Sequence, residues 1–197
     1  MEKTKNDHFQ DMLFKAKSRG FFPECVLFDS WCGSLKNLKT VRSLGWKWLA
    51  RFHSNRLVNP DGTGNIPLSE VSASENGTGV HLKEYGFVLV FRIVSQNGDA
   101  EYCVTNDLDM DFFRRLKLSG YSWNIEHYHG GLKQFCGVEK SMVRSAKGRR
   151  NHILLAIRAF LRLEVFSIKT GYSWFEEKTQ IIREAVRAYL EKPIYVL

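Results

Sequence analysis

The sequence of 197 residues predicts an α/β fold with an inserted antiparallel β region and helices gathered towards its C-terminal end. Three observations carry that prediction. Over the first fifty or so positions, apolar residues switch between helical and strand-like spacing across short connections. Turn-forming residues then crowd into 56–106 around short β-like runs. From Met110 onward helical spacing takes over.

Residues 7–20 read as a helix, with Phe9, Met12, Leu13 and Ala16 on one face and Gly20 as its stop. Phe21-Phe22-Pro23 breaks the chain. Cys25-Val26-Leu27-Phe28 is a short apolar run suited to a strand covered on both faces. Asp29 ends it. A carboxylate at the end of a buried strand is held rigidly at the sheet's rim, where α/β folds place functional groups. The same aspartate could simply cap the next helix, with Ser30 and Ser34 as rival caps. Leu35, Leu38, Val41 and Leu44 mark a second helix, stopped by Gly45, and 46–52 reads as a strand. Strand, helix and strand with so short a crossover make a parallel βαβ unit. Trp46 and Trp48 alternate with Lys47 along that strand and are expected in the core rather than as base-stacking platforms.

The turn-rich region holds Asn59-Pro60-Asp61-Gly62, Gly64-Asn65 and Glu75-Asn76-Gly77. Its strongest signal is a hairpin, with strands at 87–94 and 100–105 around Ser95-Gln96-Asn97-Gly98-Asp99. After it, one helix is expected to run to about Phe135. A basic connector at 137–150 follows, then a nearly continuous apolar helix at 151–166 that should be buried. Ser173 and Glu176 form a capping box that opens a last helix, ended by Pro193.

The stretch 121–133 carries two helical faces. Ile125, Tyr128, Leu132 and Phe135 form an apolar stripe. Glu126, His129 and Lys133 share another face, presenting a carboxylate, an imidazole and an ammonium to one partner. A solvated charged face has the same pattern. Gly130 and Gly131 cost a helix about 1 kcal/mol each relative to alanine, which suggests that a backbone or ligand approaches there.

Composition narrows the partners. The net charge of +8 and pI near 9.4 favour a polyanion, and nucleic acid is the commonest one. No signal peptide precedes the first helix. The longest apolar runs are far too short to span a bilayer, and a cytoplasmic protein is expected. Cys25, Cys32, Cys103 and Cys136 show no paired spacing and suit a reducing compartment.

Two stretches are recognisable together. Val26-Leu27-Phe28-Asp29-Ser30-Trp31, followed by Trp123-Asn-Ile-Glu126-His-Tyr-His-Gly-Gly-Leu-Lys133-Gln134, resembles the DDE transposases of bacterial insertion sequences. More narrowly, it resembles the branch with a β insertion between the second and third carboxylates. His152-Ile153-Leu154-Leu155-Ala156 and Trp48-Leu-Ala-Arg51 leading to Asn55-Arg56 are similar to that family too, so the likeness runs from about residue 7 to about 170. The resemblance implies a partial ribonuclease H-like fold. Residues 1–55 would be part of the catalytic core, 56–106 the β insertion, 107–170 core helices and 171–197 a C-terminal helix.

It also implies two-metal phosphoryl transfer on transposon-end DNA, with Mg²⁺ as the ion. Asp29 and Glu126 would be the second and third metal-binding catalytic carboxylates. Lys133 would hold a phosphate. His129, Arg144, Lys147, Arg149 and Arg150 are the other candidate DNA contacts. Where that branch has a tyrosine and an arginine upstream of its glutamate, this chain has Ser119 and Ser122, with Tyr121 and Arg115 as the nearest stand-ins. No strand bearing a first aspartate precedes Asp29. A truncated copy is therefore expected, inactive alone, and paired either with an upstream transposase segment or with a second copy. The rival expectations are a DNA-binding remnant or regulator without chemistry, and a purely structural basic α/β protein.

Overall fold

The computed structural model describes residues 3–95 and 97–193. The expected turn residue Gln96 and the end of the C-terminal segment, 194–197, lie outside the described residues. The chain divides into two compact units, Met1–Ser122 and Trp123–Leu197.

The first unit is a mixed α/β fold built on a five-stranded sheet in the order β1-β2-β7-β6-β5. It opens with α1 (Lys5–Ser18), which starts earlier than its apolar spacing predicts because Thr4 and Asp7 form a capping box. β1 (Cys25–Phe28), α2 (Leu35–Ser43) and β2 (Lys47–Phe52) form the expected parallel βαβ unit, with Cys25 opposite Lys47 and Phe28 opposite Ala50. Gly45 closes α2 at a φ of +78°, a conformation that glycine adopts without steric cost.

The inserted region does not build a separate domain. β5 (Thr78–Leu82), β6 (Gly86–Val94) and β7 (Ala100–Thr105) form an antiparallel meander, and β7 pairs with β2 from Leu49–Thr105 to Phe52–Tyr102. The meander thus continues the sheet begun by β1 and β2. Among the described residues β3 (Leu57–Val58) and β4 (Ile66–Pro67) form a separate two-stranded sheet.

Each face of the sheet has its own core. On one face Phe9 and Leu13 of α1 and Leu38 and Val41 of α2 join Trp48, Ala50, Val88, Val90 and Val104. Trp48 is fully buried, stacks on Phe52 at 5.9 Å and donates its indole N–H to the Tyr85 hydroxyl at 2.8 Å. Trp46 is buried as well. On the other face Leu49, Phe91 and Cys103 meet Met110 and Leu118, with Cys25 and Leu27 packed alongside. Helical cover on both faces explains why β1 is apolar at all four positions. Yet β1 pairs only with β2, so among the described strands its other edge has no hydrogen-bonded neighbour.

α3 (Phe112–Gln134) contributes residues to both units. The second unit continues with α4 (Ala146–Thr170) and α5 (Trp174–Glu191). Gly171, at φ +77°, ends α4, and the expected Ser173–Glu176 capping box opens α5. The core is small: Leu132, Ala156 and Phe160, with Tyr128 and Trp174 against them. Phe160 is its hub, edge-on to Tyr128 at 5.2 Å and to Trp174 at 5.0 Å.

Two expectations for α4 are corrected. It begins at Ala146 instead of 151, because the Ser145 hydroxyl accepts the Gly148 N–H at 3.1 Å and caps the helix five residues earlier. Nor is it buried all round. Ala156, Phe160 and Leu163 are buried, whereas Leu154, Leu155 and Ile168 are 62, 64 and 75% exposed. The neighbouring helices of this unit cover one stripe of α4, and apolar side chains continue past it. Among the described residues no helix is long and apolar enough to cross a membrane.

Candidate functional site

Asp29 follows β1 directly, at the C-terminal end of the parallel pair. Its backbone is extended, and its Oδ1 accepts the N–H groups of Trp31 at 3.1 Å and Cys32 at 3.3 Å. It therefore caps a short 3-10 turn at Ser30–Cys32, while Ser34 separately caps α2. Of the two roles weighed for Asp29, capping is the one observed; it uses one carboxylate oxygen, and the side chain remains exposed. Its surroundings hold groups that the sequence did not single out. Burial, reinforced by the Asp29 carboxylate it hydrogen-bonds, pushes the Cys32 thiol above its ordinary pKa. The Lys5 ammonium lies 5.3 Å from the exposed Trp31 ring. Gly33 packs so tightly on Phe52 that an added Cβ would come within 3.2 Å of that ring. The Arg56 guanidinium covers Phe52 from 5.3 Å, and burial lowers its pKa. Lys5 lies on α1, far from Trp31 in sequence, and no local pattern announces that contact.

The opposite end of β1 and β2 holds a tighter charge cluster. The Asp107 carboxylate is buried and meets Lys47 and Arg114, each at 3.3 Å, and Arg114 also pairs with Glu24 at 2.7 Å. This cluster fastens the loop after β7 to the starts of β1 and β2. Arg115, a possible stand-in for the branch's missing arginine, is buried at 4% exposure between Phe91 and Phe112. Enclosed between aromatic rings, it is not presented to a partner, and that role is withdrawn. Tyr121 is 49% exposed.

In the second unit, Glu126, His129 and Lys133 are exposed on one face of α3. The apolar stripe buries its C-terminal half: Leu132 is buried and Tyr128 half-buried, but Ile125 stays exposed. Lys133 has a partner already. Its ammonium meets Glu139 at 2.9 Å, and that hydrogen bond, more than the charge of Glu126, raises its pKa. The paired glycines separate in role. A Cβ on Gly131 would come within 2.3 Å of the Phe160 ring and 3.2 Å of Trp174, whereas Gly130 faces open space. A core side chain, not a ligand, makes the close approach at Gly131.

The basic segment is only partly a connector. Arg144 precedes α4, but Lys147, Arg149 and Arg150 lie in its opening turns, all exposed. His152 on α4 hydrogen-bonds the Gly137 carbonyl at 3.0 Å and ties the start of the connector to the helix. No carboxylate occupies the first turn. Cations at a helix N-terminus oppose the macrodipole, at roughly 0.3–1 kcal/mol each, so this placement does not serve the helix.

The structure thus brings Glu126, His129 and Lys133 onto one helix face, and Lys147, Arg149 and Arg150 onto one helix end. Asp29 belongs to the first unit and Glu126 to the second. Among the described residues no group of three or more histidine, cysteine, aspartate or glutamate side chains is placed to hold a metal ion. No known family's model matches the chain, and no curated protein matches it either.

Proposed function

We propose that the chain is a transposase-derived module of the DDE class, acting on DNA ends by phosphoryl transfer, with Asp29 and Glu126 as two of its carboxylates. The observation that carries this reading is Asp29 at the C-terminal end of β1 in a parallel βαβ unit, a rigid rim position with one carboxylate oxygen uncommitted to the cap. A ribonuclease H-like core is the finer fold reading that goes with it.

Asp29 and Glu126 fit Mg²⁺ by donor type, since the ion takes hard oxygen ligands and both side chains are exposed. When bound, such ions supply charge stabilisation to the phosphoryl centre. Lys133 and His129, on the face they share with Glu126, would hold a phosphate of the end DNA. Arg144, Lys147, Arg149 and Arg150 would grip flanking backbone without regard to sequence.

A second reading, DNA binding without chemistry, draws on a different observation. The cations at the start of α4 need no carboxylate to hold phosphates, and the Asp29 Oδ1 is already engaged as a cap.

The test uses the full chain with duplex DNA from the borders of its own gene. Binding is followed by fluorescence anisotropy, and cleavage by gel with Mg²⁺. Replacing Arg144, Lys147, Arg149 and Arg150 by alanine should weaken binding at least tenfold. Unchanged affinity in that variant contradicts both readings. Strand cleavage that Asp29→Ala and Glu126→Ala each abolish, with binding retained, supports the catalytic reading. Binding with no cleavage, both alone and with an upstream transposase segment supplied in trans, supports the second.

A further inference from the structure

The second unit holds an open groove of about 740 Å³ lined by residues of α4 and α5 together with Phe135 and Cys136. Its floor is apolar: Leu163, Phe166, Ile181 and Ile182. Its charged lining is of one sign. Arg158 and Arg162 stand one helical turn apart on the α4 wall, and Lys178 stands on the α5 wall. Among the described residues none of the three has a carboxylate within salt-bridge distance. The apolar surface continues onto the exposed Leu155 wall and to Val186, 51% exposed, further along α5.

We propose that this groove receives an amphipathic helix of another protein, one that lays an apolar stripe on the floor and carries carboxylates on both flanks. Apolar floor and cationic walls together define that chemistry. A helix-in-groove contact is read by apolar residues at i, i+3, i+4 and i+7, and carboxylates flanking that stripe face cations on both walls. A second copy of this chain seated symmetrically on the same groove would set Arg158, Arg162 and Lys178 against their own counterparts, so like-charge repulsion disfavours it. Duplex DNA would satisfy the cations but leave the apolar floor in water.

The experiment titrates the full chain with two fluorescein-labelled peptides. Both carry the same leucine stripe at helical spacing, one with glutamate flanks and one with lysine flanks. The glutamate peptide should bind at least tenfold more tightly, and Arg158→Glu with Arg162→Glu should reverse that preference. The two arginines are exposed, and circular dichroism checks that α4 persists in the variant. Cys136 provides an independent readout, since it lines the groove. Bound glutamate peptide should slow its alkylation and leave that of Cys32 unchanged. Equal affinity for the two peptides, no binding of either, or sedimentation showing that a dimer of the chain itself protects Cys136 would each overturn the proposal. So would vesicles rich in anionic phospholipid binding more tightly than the peptide with the same dependence on Arg158 and Arg162.

Discussion

The two units bury apolar residues by different means. In the first, a sheet offers two faces, and α1, α2 and the beginning of α3 cover them, so Trp48, Val88, Val90, Phe91 and Val104 are all but sealed from water. In the second, three helical segments meet around Phe160, and each keeps a large apolar share in water. A sheet gives each strand two buried surfaces at once, whereas a helix buries one stripe per neighbour. The first unit seals its sheet core, although Phe22, Trp31 and Phe113 remain 77, 75 and 76% exposed. The second unit's sequence contains more apolar surface than its own fold uses.

That contrast can be broken or sharpened by substitution. Trp48→Ala should have the largest effect, a loss of about 3–5 kcal/mol, because it opens a cavity and removes the indole N–H that the Tyr85 hydroxyl accepts. Urea unfolding followed by the fluorescence of the remaining tryptophans checks it, and a loss below about 1 kcal/mol would show the first core to be as loose as the second. Gly131→Ala should cost about 1–3 kcal/mol by overpacking against Phe160. Gly130→Ala, one residue away and facing open space, should instead stabilise by up to about 1 kcal/mol. The two variants compared by thermal melting isolate the Phe160 contact from helix propensity.

Ser173→Ala should cost about 1 kcal/mol by removing the cap of α5, read as helix content by circular dichroism. The same cap predicts a pH dependence. Hydrogen bonds from Ser173 lower the Glu176 pKa below its usual 4.5. Glu176 therefore contributes stability above the unfolded value, and that contribution fades as pH falls through the lowered folded value. Glu176→Gln should flatten the acid limb of the melting curve. The smallest effect concerns thiols. Burial pushes the Cys25 pKa up to about 12, so at pH 8 it should alkylate far more slowly than free cysteine and speed up only on unfolding.

Local chemistry made the first unit legible. A run of four apolar residues, a capping serine, a stopping glycine and an alternating strand gave β1, α2 and β2 nearly to the residue. Those signals act over a few positions, and the structure obeys them. Pairing of β7 with β2 was not legible, because it joins residues about fifty apart and register is a long-range choice. In the second unit an apolar run at 151–166 suggested burial, but composition reports how sticky a helix is and not whether a neighbour is present. At the candidate site the exposed face of Glu126, His129 and Lys133 could be read from helical spacing alone. The Lys5 contact with Trp31 beside Asp29 could not, nor could Glu139 on Lys133, since neither follows from spacing within one helix.

On the proposed DNA-binding reading, the Lys133–Glu139 pair would act as a counterion built into the protein. A lysine that neutralises a phosphate releases a cation condensed on the DNA, and each such contact adds about 0.9 to the slope of log affinity against log salt. Lys133 would differ under that reading, because taking up a phosphate would set Glu139 free, and the freed carboxylate would gather cations in its turn. Release at one group is offset by uptake at the other. The slope should then report Arg144, Lys147, Arg149 and Arg150 and pass over Lys133. Glu139→Gln should steepen it by about one unit while also strengthening binding in low salt. A slope identical in the two proteins would mean that Lys133 never meets the phosphate.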